Sequence, residues 1–436
     1  MQRTLIKELP GSVGKLIGIA GWVDVRRDHG KLIFLDVRDR SGIVQVVVTP
    51  KAAEALEAAR ELRPQWVIRI EGEVKSRPEN MRSEGALGAY ELVAQKIEVL
   101  SKADVLPFEL GTEINIDTHL DLLPLTVRSE RARDIFLMQE TLIDGFRSGL
   151  RAQGFTEFQA PALVGGDAEG GAAAFSVDYY YEKKAFLATS PQFYKQIMVG
   201  AFERVFATPK VFRGEKHSTT RHLSEYSSMD FEMGFIKDHT DVMAILENVV
   251  RGIVARVSKD HADLLKRFNT TAPLLPEEIP VLKLREAQKI LGVTEAPDLE
   301  PEHERAICDW AKKEKGSDFV FITHYPVSKR PFYTYEDEED PGFTNSFDLL
   351  FRGLEITTGG QRVHNHAMLV KRIEERGMKP EQFSYYLQAF KYGMPPHGGS
   401  ATGLERITAR TLELQNVKEA TLFPRDLNRI DVRLTQ

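Results

Sequence analysis

An apolar run from Val205 to Phe212, interrupted by Pro209, enters a loop dense in Lys, His, Thr and Arg, and a second run returns through Tyr226, Met229, Phe231 and Met233. Two strand-forming runs joined by a polar loop predict an antiparallel pair. The intervening residues, 213–230, read RGEKHSTTRHLSEYSSMD. Such a pair can hold Arg213 and Glu215 rigidly over a triphosphate while the loop closes on a nucleobase. By itself the stretch is equally compatible with a charged hairpin on a surface.

The stretch resembles motif 2 of the class II aminoacyl-tRNA synthetases. Residues 399–406, Gly-Ser-Ala-Thr-Gly-Leu-Glu-Arg, resemble motif 3, with Ser400, Ala401 and Thr402 standing where that family often has Gly-Phe-Gly. A helical pattern from Arg131 to Arg151 leads into Gly-Phe-Thr-Glu-Phe-Gln-Ala-Pro-Ala-Leu, residues 154–163, which resembles motif 1 through Pro161. The resemblance implies a homodimer built on motif 1 and a site for ATP. Arg213 and Arg406 would be the catalytic cations, with Tyr226 under the adenine and Glu215 on its amino group. Arg221, His222, Leu223, Gly403, Leu404 and Glu405 would complete the nucleotide site.

Ser-Pro-Gln-Phe-Tyr-Lys-Gln, residues 190–196, is similar to the signature of the aspartyl-tRNA synthetases. That resemblance implies that Lys195 and Arg362 meet the side-chain carboxylate of aspartate, Asp230 orients Lys195, and Gln192 contacts the α-amino end. By the same resemblance Arg213 and Thr358 would join this set, and Glu169 would sit on a mobile loop covering the ammonium group. A cation about 4 Å from a carboxylate contributes roughly 4 kcal/mol at an effective dielectric near 20. Asparagine forfeits most of that, so charge recognition can reject it without editing. Removal of Lys195 is expected to cripple aspartate-dependent pyrophosphate exchange and spare the fold.

Asp348 and Glu355 fall seven apart in a run whose alternation reads as one strand, which places them on opposite faces unless a bulge intervenes at Gly353. The resemblance implies Mg²⁺ at Glu355 with the hydroxyl of Thr358, and a further metal supported by Asp348. Oxygen ligands suit Mg²⁺, which binds through one or two carboxylates and phosphate.

Upstream, runs at 17–27, 31–38 and 42–49 alternate apolar and polar residues, a helical segment spans Ala52 to Leu62, and two more strand runs follow at 66–75 and 90–100. That order is an OB-fold barrel, a fold that binds single-stranded nucleic acid across its sheet. The first two runs are very similar to the anticodon-binding domain of aspartyl-tRNA synthetases, which implies that Phe34 stacks on an anticodon base, Gln45 hydrogen-bonds to one, and Arg26 meets phosphates or bases. Relatives that reject tRNA-Asn carry Trp and Lys near the third anticodon base, and their relaxed counterparts carry His and then Pro or Gly; the matching positions are His29 and Pro78.

The expected organisation is therefore α+β. An OB-fold occupies residues 1–103, a proline-containing hinge 104–130, and a catalytic domain with an antiparallel sheet and flanking helices 131–436. Motif 2 spans about 205–233 and motif 3 about 398–412. Only a short helical and acidic segment, about 250 to 345, separates them, as in the compact archaeal-type form.

The net charge of −6 is at odds with nucleic-acid binding until it is divided. Residues 1–103 hold 17 Lys and Arg against 14 Asp and Glu, a balance of +3, and the remainder holds 41 against 50, or −9. A single cysteine, Cys308, excludes intramolecular disulfides and fits a cytoplasmic setting. The expected activity is ATP-dependent aspartylation of tRNA-Asp and also tRNA-Asn, with a separate amidotransferase acting on Asp-tRNA-Asn. The competing readings are a discriminating aspartyl enzyme, an asparaginyl-tRNA synthetase, which would lack Lys195 and carry Glu at position 230, and a silent tRNA-binding paralogue.

Overall fold

The computed structural model describes residues 1–82, 87–109, 112, 114–166, 174–216 and 219–434. The chain divides into two compact units, Met1–Glu109 and Leu110–Gln436.

In the first unit, β1 (Leu16–Asp28), β2 (Ile33–Asp39), β3 (Gly42–Val48), β4 (Val67–Ser76) and β5 (Tyr90–Ser101) close into a barrel in the order β1-β2-β3-β5-β4, with α1 (Ala53–Glu61) between β3 and β4. Closure pairs β3 with β5 in parallel and β1 with β4 antiparallel, which leaves no open sheet edge. Alternate residues fill the interior, among them Ile19, Val23, Leu35, Val37, Val46, Ile70 and Leu92. The pairing of β1 with β2 slips between Val23 and Val25, a bulge at Asp24 that turns the following side chains over. Trp66 Nε1 donates to the carbonyl of Ala103 at 3.0 Å, so the chain remains tied to the barrel past the last strand.

The expected hinge contains two short helices, α2 (Ile116–Asp121) and α3 (Leu123–Thr126), the first capped by the Asn115 side chain on the N–H of Thr118 at 2.8 Å. Then come α4 (Glu130–Ala152), β6 (Thr156–Glu157), β7 (Leu163–Val164), β8 (Ser176–Tyr179), β9 (Lys183–Leu187), α5 (Gln192–Phe202), β10 (Arg204–Ala207), β11 (Lys210–Phe212) and β12 (Glu225–Gly234). α6 (His239–Asp260) runs into the expected acidic segment, which supplies α7 (Ala262–Arg267), β13 (Val281–Lys283), α8 (Leu284–Leu291), α9 (Pro301–Lys315) and β14 (Phe319–Thr323). β15 (Ser346–Phe351), β16 (Leu354–Arg362), α10 (His366–Glu375), α11 (Ser384–Lys391), β17 (His397–Gly403) and α12 (Leu404–Thr411) complete the unit.

The main sheet runs β13-β14-β15-β16-β17-β12-β10-β6, with β11 also paired to β12. It is antiparallel except for the parallel pairs at its two ends, β13 with β14 and β10 with β6. One face carries the large core, where Phe146 of α4 and Leu246 of α6 join Phe206, Met229, Phe231 and Phe347. A Cβ on Gly145 would lie 2.8 Å from Ile253 Cγ1, so α4 and α6 approach as closely as they do only because that position is bare.

The other face belongs to the site. Directly paired residues project on the same side of a sheet. Three rows follow from the register: Asp348, Thr358, Ala401 and Asp230; then Ser346, Gly360, Gly399 and Glu232; then Arg362, His397 and Gly234.

Candidate active site

α5 lies across this face at β10 and β12 and delivers Lys195 to the middle of it. Lys195 Nζ is 2.9 Å from Asp230 Oδ2, 3.3 Å from Glu232 Oε2 and 3.2 Å from the carbonyl oxygen of Ser400. Arg362 Nε is 3.0 Å from Glu232 Oε1, and its Nη2 donates to the Gly399 carbonyl at 2.9 Å. Asp230 also accepts from the Ser228 hydroxyl. All four charged residues are buried. Two cations and two carboxylates therefore neutralise one another where water cannot, and loss of Lys195 would strand Asp230 as loss of Glu232 would strand Arg362. Burial works to raise the Glu232 pKa, but Arg362 and Lys195 outweigh it and hold the carboxyl below its ordinary value.

Glu232 is absent from the sequence-derived site, although it shares the alternation of Ser228 and Asp230. The bare Gly399 makes room for it: a Cβ there would lie 2.1 Å from Glu232 Oε2.

Gln192, at the start of α5, donates to Gln196 Oε1 at 3.0 Å, and the same oxygen accepts from the Tyr386 hydroxyl at 3.1 Å. The Gln196 amide nitrogen is 2.9 Å from His397 Nε2, and His397 Nδ1 is 2.9 Å from the Pro395 carbonyl. A neutral imidazole protonated on Nδ1 satisfies this chain completely. Burial drives the His397 pKa down to about 4, which keeps it in that form.

Beside the quartet opens a cavity of about 160 Å³, lined by Arg213, Glu215, Arg221, His222, Leu223, Tyr226, Glu355, Thr358, Gly403, Glu405 and Arg406 among others. The Arg213 guanidinium stands 5.7 Å from the Tyr226 ring centroid and 3.9 Å from Glu215 Oε1. His222 Nε2 is 3.7 Å from the other Glu215 oxygen. Arg406 Nη1 donates to the Glu355 carbonyl at 3.0 Å and lies 3.7 Å from its carboxylate. Glu405 accepts the N–H of Ser227 with both oxygens at 3.0 Å, fixing the start of α12 to β12. Leu404 packs into the core instead of lining the cavity.

The run containing Asp348 and Glu355 is two strands rather than one. Arg352 and Gly353 adopt φ of 45° and 80° and turn the chain between β15 and β16. A bulge sits at Ile356, not Gly353, because Leu350 pairs with Glu355 while Leu349 pairs with Thr357. Glu355 and Thr358 thereby share the site face, with Thr358 Oγ1 2.9 Å from Glu355 Oε1. Burial acts to raise the Glu355 pKa, and Arg406 with the Thr358 hydroxyl overcomes it, so the carboxylate stays charged. Asp348 is on the same face but is buried against Arg330 at 2.9 Å, and burial lifts its pKa to about 6 despite that arginine. It does not line the cavity. Among the described residues no three His, Cys, Asp or Glu side chains are grouped as a metal site. Glu169 lies outside the described residues.

In the barrel, Phe34 is half-buried on the outer face, outside the core, with the His29 ring edge-on at 5.5 Å. Gln45 is on the next strand opposite Asp36, its amide 3.3 Å from Glu91 Oε2. The bulge at Asp24 decides which arginine joins them. Arg27 pairs with Phe34 and donates twice to Asp36, at 2.7 and 2.8 Å, whereas Arg26 pairs with Leu35 and turns to the Ala59 carbonyl at 2.9 Å and to Asp28 at 2.7 Å. His29 and Pro78 are both exposed, the latter opening a short turn at Glu79–Met81.

Residues 115–427 match the family of class II tRNA synthetases (D, K and N), and residues 17–100 match the OB-fold nucleic acid binding domain. The chain is 45% identical to an aspartate–tRNA(Asp/Asn) ligase of Thermus thermophilus over 98% of its length and 99% of that protein. It is 37% identical to an aspartate–tRNA(Asp) ligase of Pyrococcus abyssi, covering 96% of each. Among solved structures it resembles the asparaginyl-tRNA synthetase of Pyrococcus horikoshii complexed with asparaginyl-adenylate, with a TM-score of 0.91 at 32% identity and 99% coverage of both chains. A barrel of the anticodon-binding type and a polar cavity beside a buried charge quartet are thus combined in one polypeptide, and the chain belongs to the class II aminoacyl-tRNA synthetases, in the group serving aspartate, lysine and asparagine.

Proposed function

We propose that the chain joins L-aspartate to tRNA through an aspartyl adenylate formed from ATP, and that it charges both tRNA-Asp and tRNA-Asn. The observation that carries the amino-acid assignment is the pair of buried cations, Lys195 and Arg362, fixed on one face by Asp230 and Glu232. Cations held this rigidly favour a ligand carboxylate over a neutral amide, because the amide gains little from them and displaces nothing. The retained pair of Lys195 with Asp230 disfavours the asparaginyl reading.

The chemistry follows from placement. The α-carboxylate of aspartate attacks the α-phosphorus of ATP in line, the bond to the bridging oxygen breaks, and pyrophosphate leaves. Arg213 stabilises the charge gathering on the phosphoryl oxygens and Arg406 fixes the distal phosphates. The terminal ribose hydroxyl of tRNA then attacks the adenylate carbonyl and AMP departs. No side-chain general base is assigned, and a phosphate oxygen is the natural acceptor of that proton. Glu355, charged and beside the Thr358 hydroxyl, suits Mg²⁺, which would contribute positive charge to the phosphates when bound. Asp348, already neutralised by Arg330, does not suit a second ion.

Relaxed tRNA choice is supported by His29 and Pro78. A small exposed ring and an exposed side chain without a donor impose little shape or hydrogen-bond selection on the third anticodon base. Asp-tRNA-Asn made in this way is the substrate an amidotransferase would convert. A cytoplasmic homodimer built on α4 and the motif 1 strand is part of the same proposal. Aminoacylation of purified tRNA-Asp and tRNA-Asn, each with aspartate and with asparagine, tests it. Aspartylation of both tRNAs within about tenfold is expected; a preference near a thousandfold, about 4 kcal/mol, would establish a discriminating enzyme instead.

A further inference from the structure

Arg221 lies in the loop between β11 and β12 and lines the nucleotide cavity. Its guanidinium is ion-paired with Glu304, in the first turns of α9. The same carboxylate oxygen accepts the backbone N–H of Glu355 at 3.4 Å. One acid from the segment between motifs 2 and 3 thus links the loop to the strand end carrying Glu355.

Both sides of this link are anchored. The Val417 N–H donates to the Thr220 carbonyl at 3.0 Å, and the Ser224 N–H donates to the Arg425 carbonyl at 2.7 Å, so the chain on either side of Arg221 is fixed. α9 is seated by Ile307, Cys308 and Ala311 against Val320, Ile322 and Leu350. It also presses on the β15–β16 turn, where a Cβ on Gly353 would come 2.9 Å from Arg305 Cγ. The Glu304 side chain is only 12% exposed, so its charge is poorly screened.

An arginine side chain is rich in rotamers, and part of that entropy is lost when it engages a phosphate. A buried carboxylate that already orders the guanidinium removes that cost from the binding step. We propose that Glu304 is a positioning residue for the triphosphate: it holds Arg221 in the cavity before ATP arrives, and it acts on ATP only through that arginine. The inference rests on the reading of the cavity as the ATP site.

Glu304→Gln tests it, because glutamine keeps an oxygen for the Glu355 N–H and removes only the charge. In the full chain with Mg²⁺, calorimetric titration and aspartate-dependent ATP–pyrophosphate exchange should show Kd and KM for ATP raised about tenfold, the equivalent of 1.4 kcal/mol. The kcat and the KM for aspartate should stay within about twofold, and the melting temperature should hold. In an Arg221→Ala background the same substitution should have no further effect on ATP. Unchanged ATP affinity in folded Glu304→Gln, or the same tenfold rise without Arg221, would overturn the inference. A wild type that binds ATP but catalyses no aspartate-dependent exchange would overturn the proposed function and leave the titration to decide this point.

Discussion

Lys195 Nζ and Asp230 Oδ2 sit 2.9 Å apart with their side chains 1% and 0% exposed, and Glu232 shares the same ammonium at 3.3 Å. Lys195→Ala is therefore expected to do two things. Aspartate-dependent pyrophosphate exchange should fall by orders of magnitude, and the protein should lose about 3–5 kcal/mol of stability because buried Asp230 loses its counter-charge and Glu232 loses one of its two. The sequence reading expects the fold to be spared, and the burial says otherwise. Denaturant unfolding beside the exchange assay separates the effects; unchanged stability would mean that water reaches the quartet.

Arg213→Ala and Arg406→Ala remove cations from the cavity wall rather than from the quartet. Each should depress adenylate formation by about 10²–10³, the cost typical of losing one charge-stabilising donor. Aspartate affinity, measured by titration without ATP, should change little for Arg406→Ala. Near-normal single-turnover rates in either variant would remove that arginine from the chemistry.

Gly399→Ala asks for space that is already taken. The new Cβ would come 2.1 Å from both Glu232 Oε2 and the Phe231 carbonyl oxygen, and the latter is backbone that cannot swing aside. Strands β12 and β17 must part, at a cost of roughly 1–3 kcal/mol, and the Glu232 carboxylate, whose Oε2 faces Lys195, must shift. A raised KM for aspartate with a lowered melting temperature is expected. A variant equal to wild type on both counts would contradict the packing described above.

Acidification should destabilise the fold through His397. Its pKa is about 4 when folded, because of burial, against an ordinary value of 6.5. Between those values the unfolded chain binds the proton and the folded chain does not, so this contribution is complete above pH 6.5 and is lost as pH falls through about 4. The expected slope is about 1.4 kcal/mol per pH unit for this one proton. Comparing unfolding free energies of wild type and His397→Asn at pH 7 and pH 5 isolates it, since Asp348, raised to about 6, acts with the opposite sign in both proteins. Parallel pH dependence of the two would show that His397 titrates normally.

The barrel strands are legible in the sequence because each alternates between a core and a solvent face, and the five runs lie within two residues of the observed elements. Departures come where alternation breaks. Arg26 and Arg27 exchange faces through a one-residue bulge that no side chain announces. The Arg352–Gly353 turn is hidden because Phe351 and Leu354 keep the run apolar through it. Glu232 is readable in principle: Met229, Phe231 and Met233 point to the core, so Ser228, Asp230 and Glu232 must share the opposite face. Arg330 and Glu304 come from distant segments whose approach depends on the whole sheet, and nothing local to them marks a site.

The room beneath Glu232 has a consequence for inheritance. A carboxylate at position 232 and a side chain at position 399 claim the same volume, so the two positions cannot drift separately. A descendant that acquires alanine at 399 must first shorten residue 232, and in doing so it gives up the acid between Lys195 and Arg362. Alanine arriving at 399 first would overlap the glutamate, and loss of the acid first leaves Arg362 without its carboxylate beside an empty space. Both intermediates are worse than either end point, so glycine at 399 and glutamate at 232 should persist as a pair across descendants that keep aspartate as substrate.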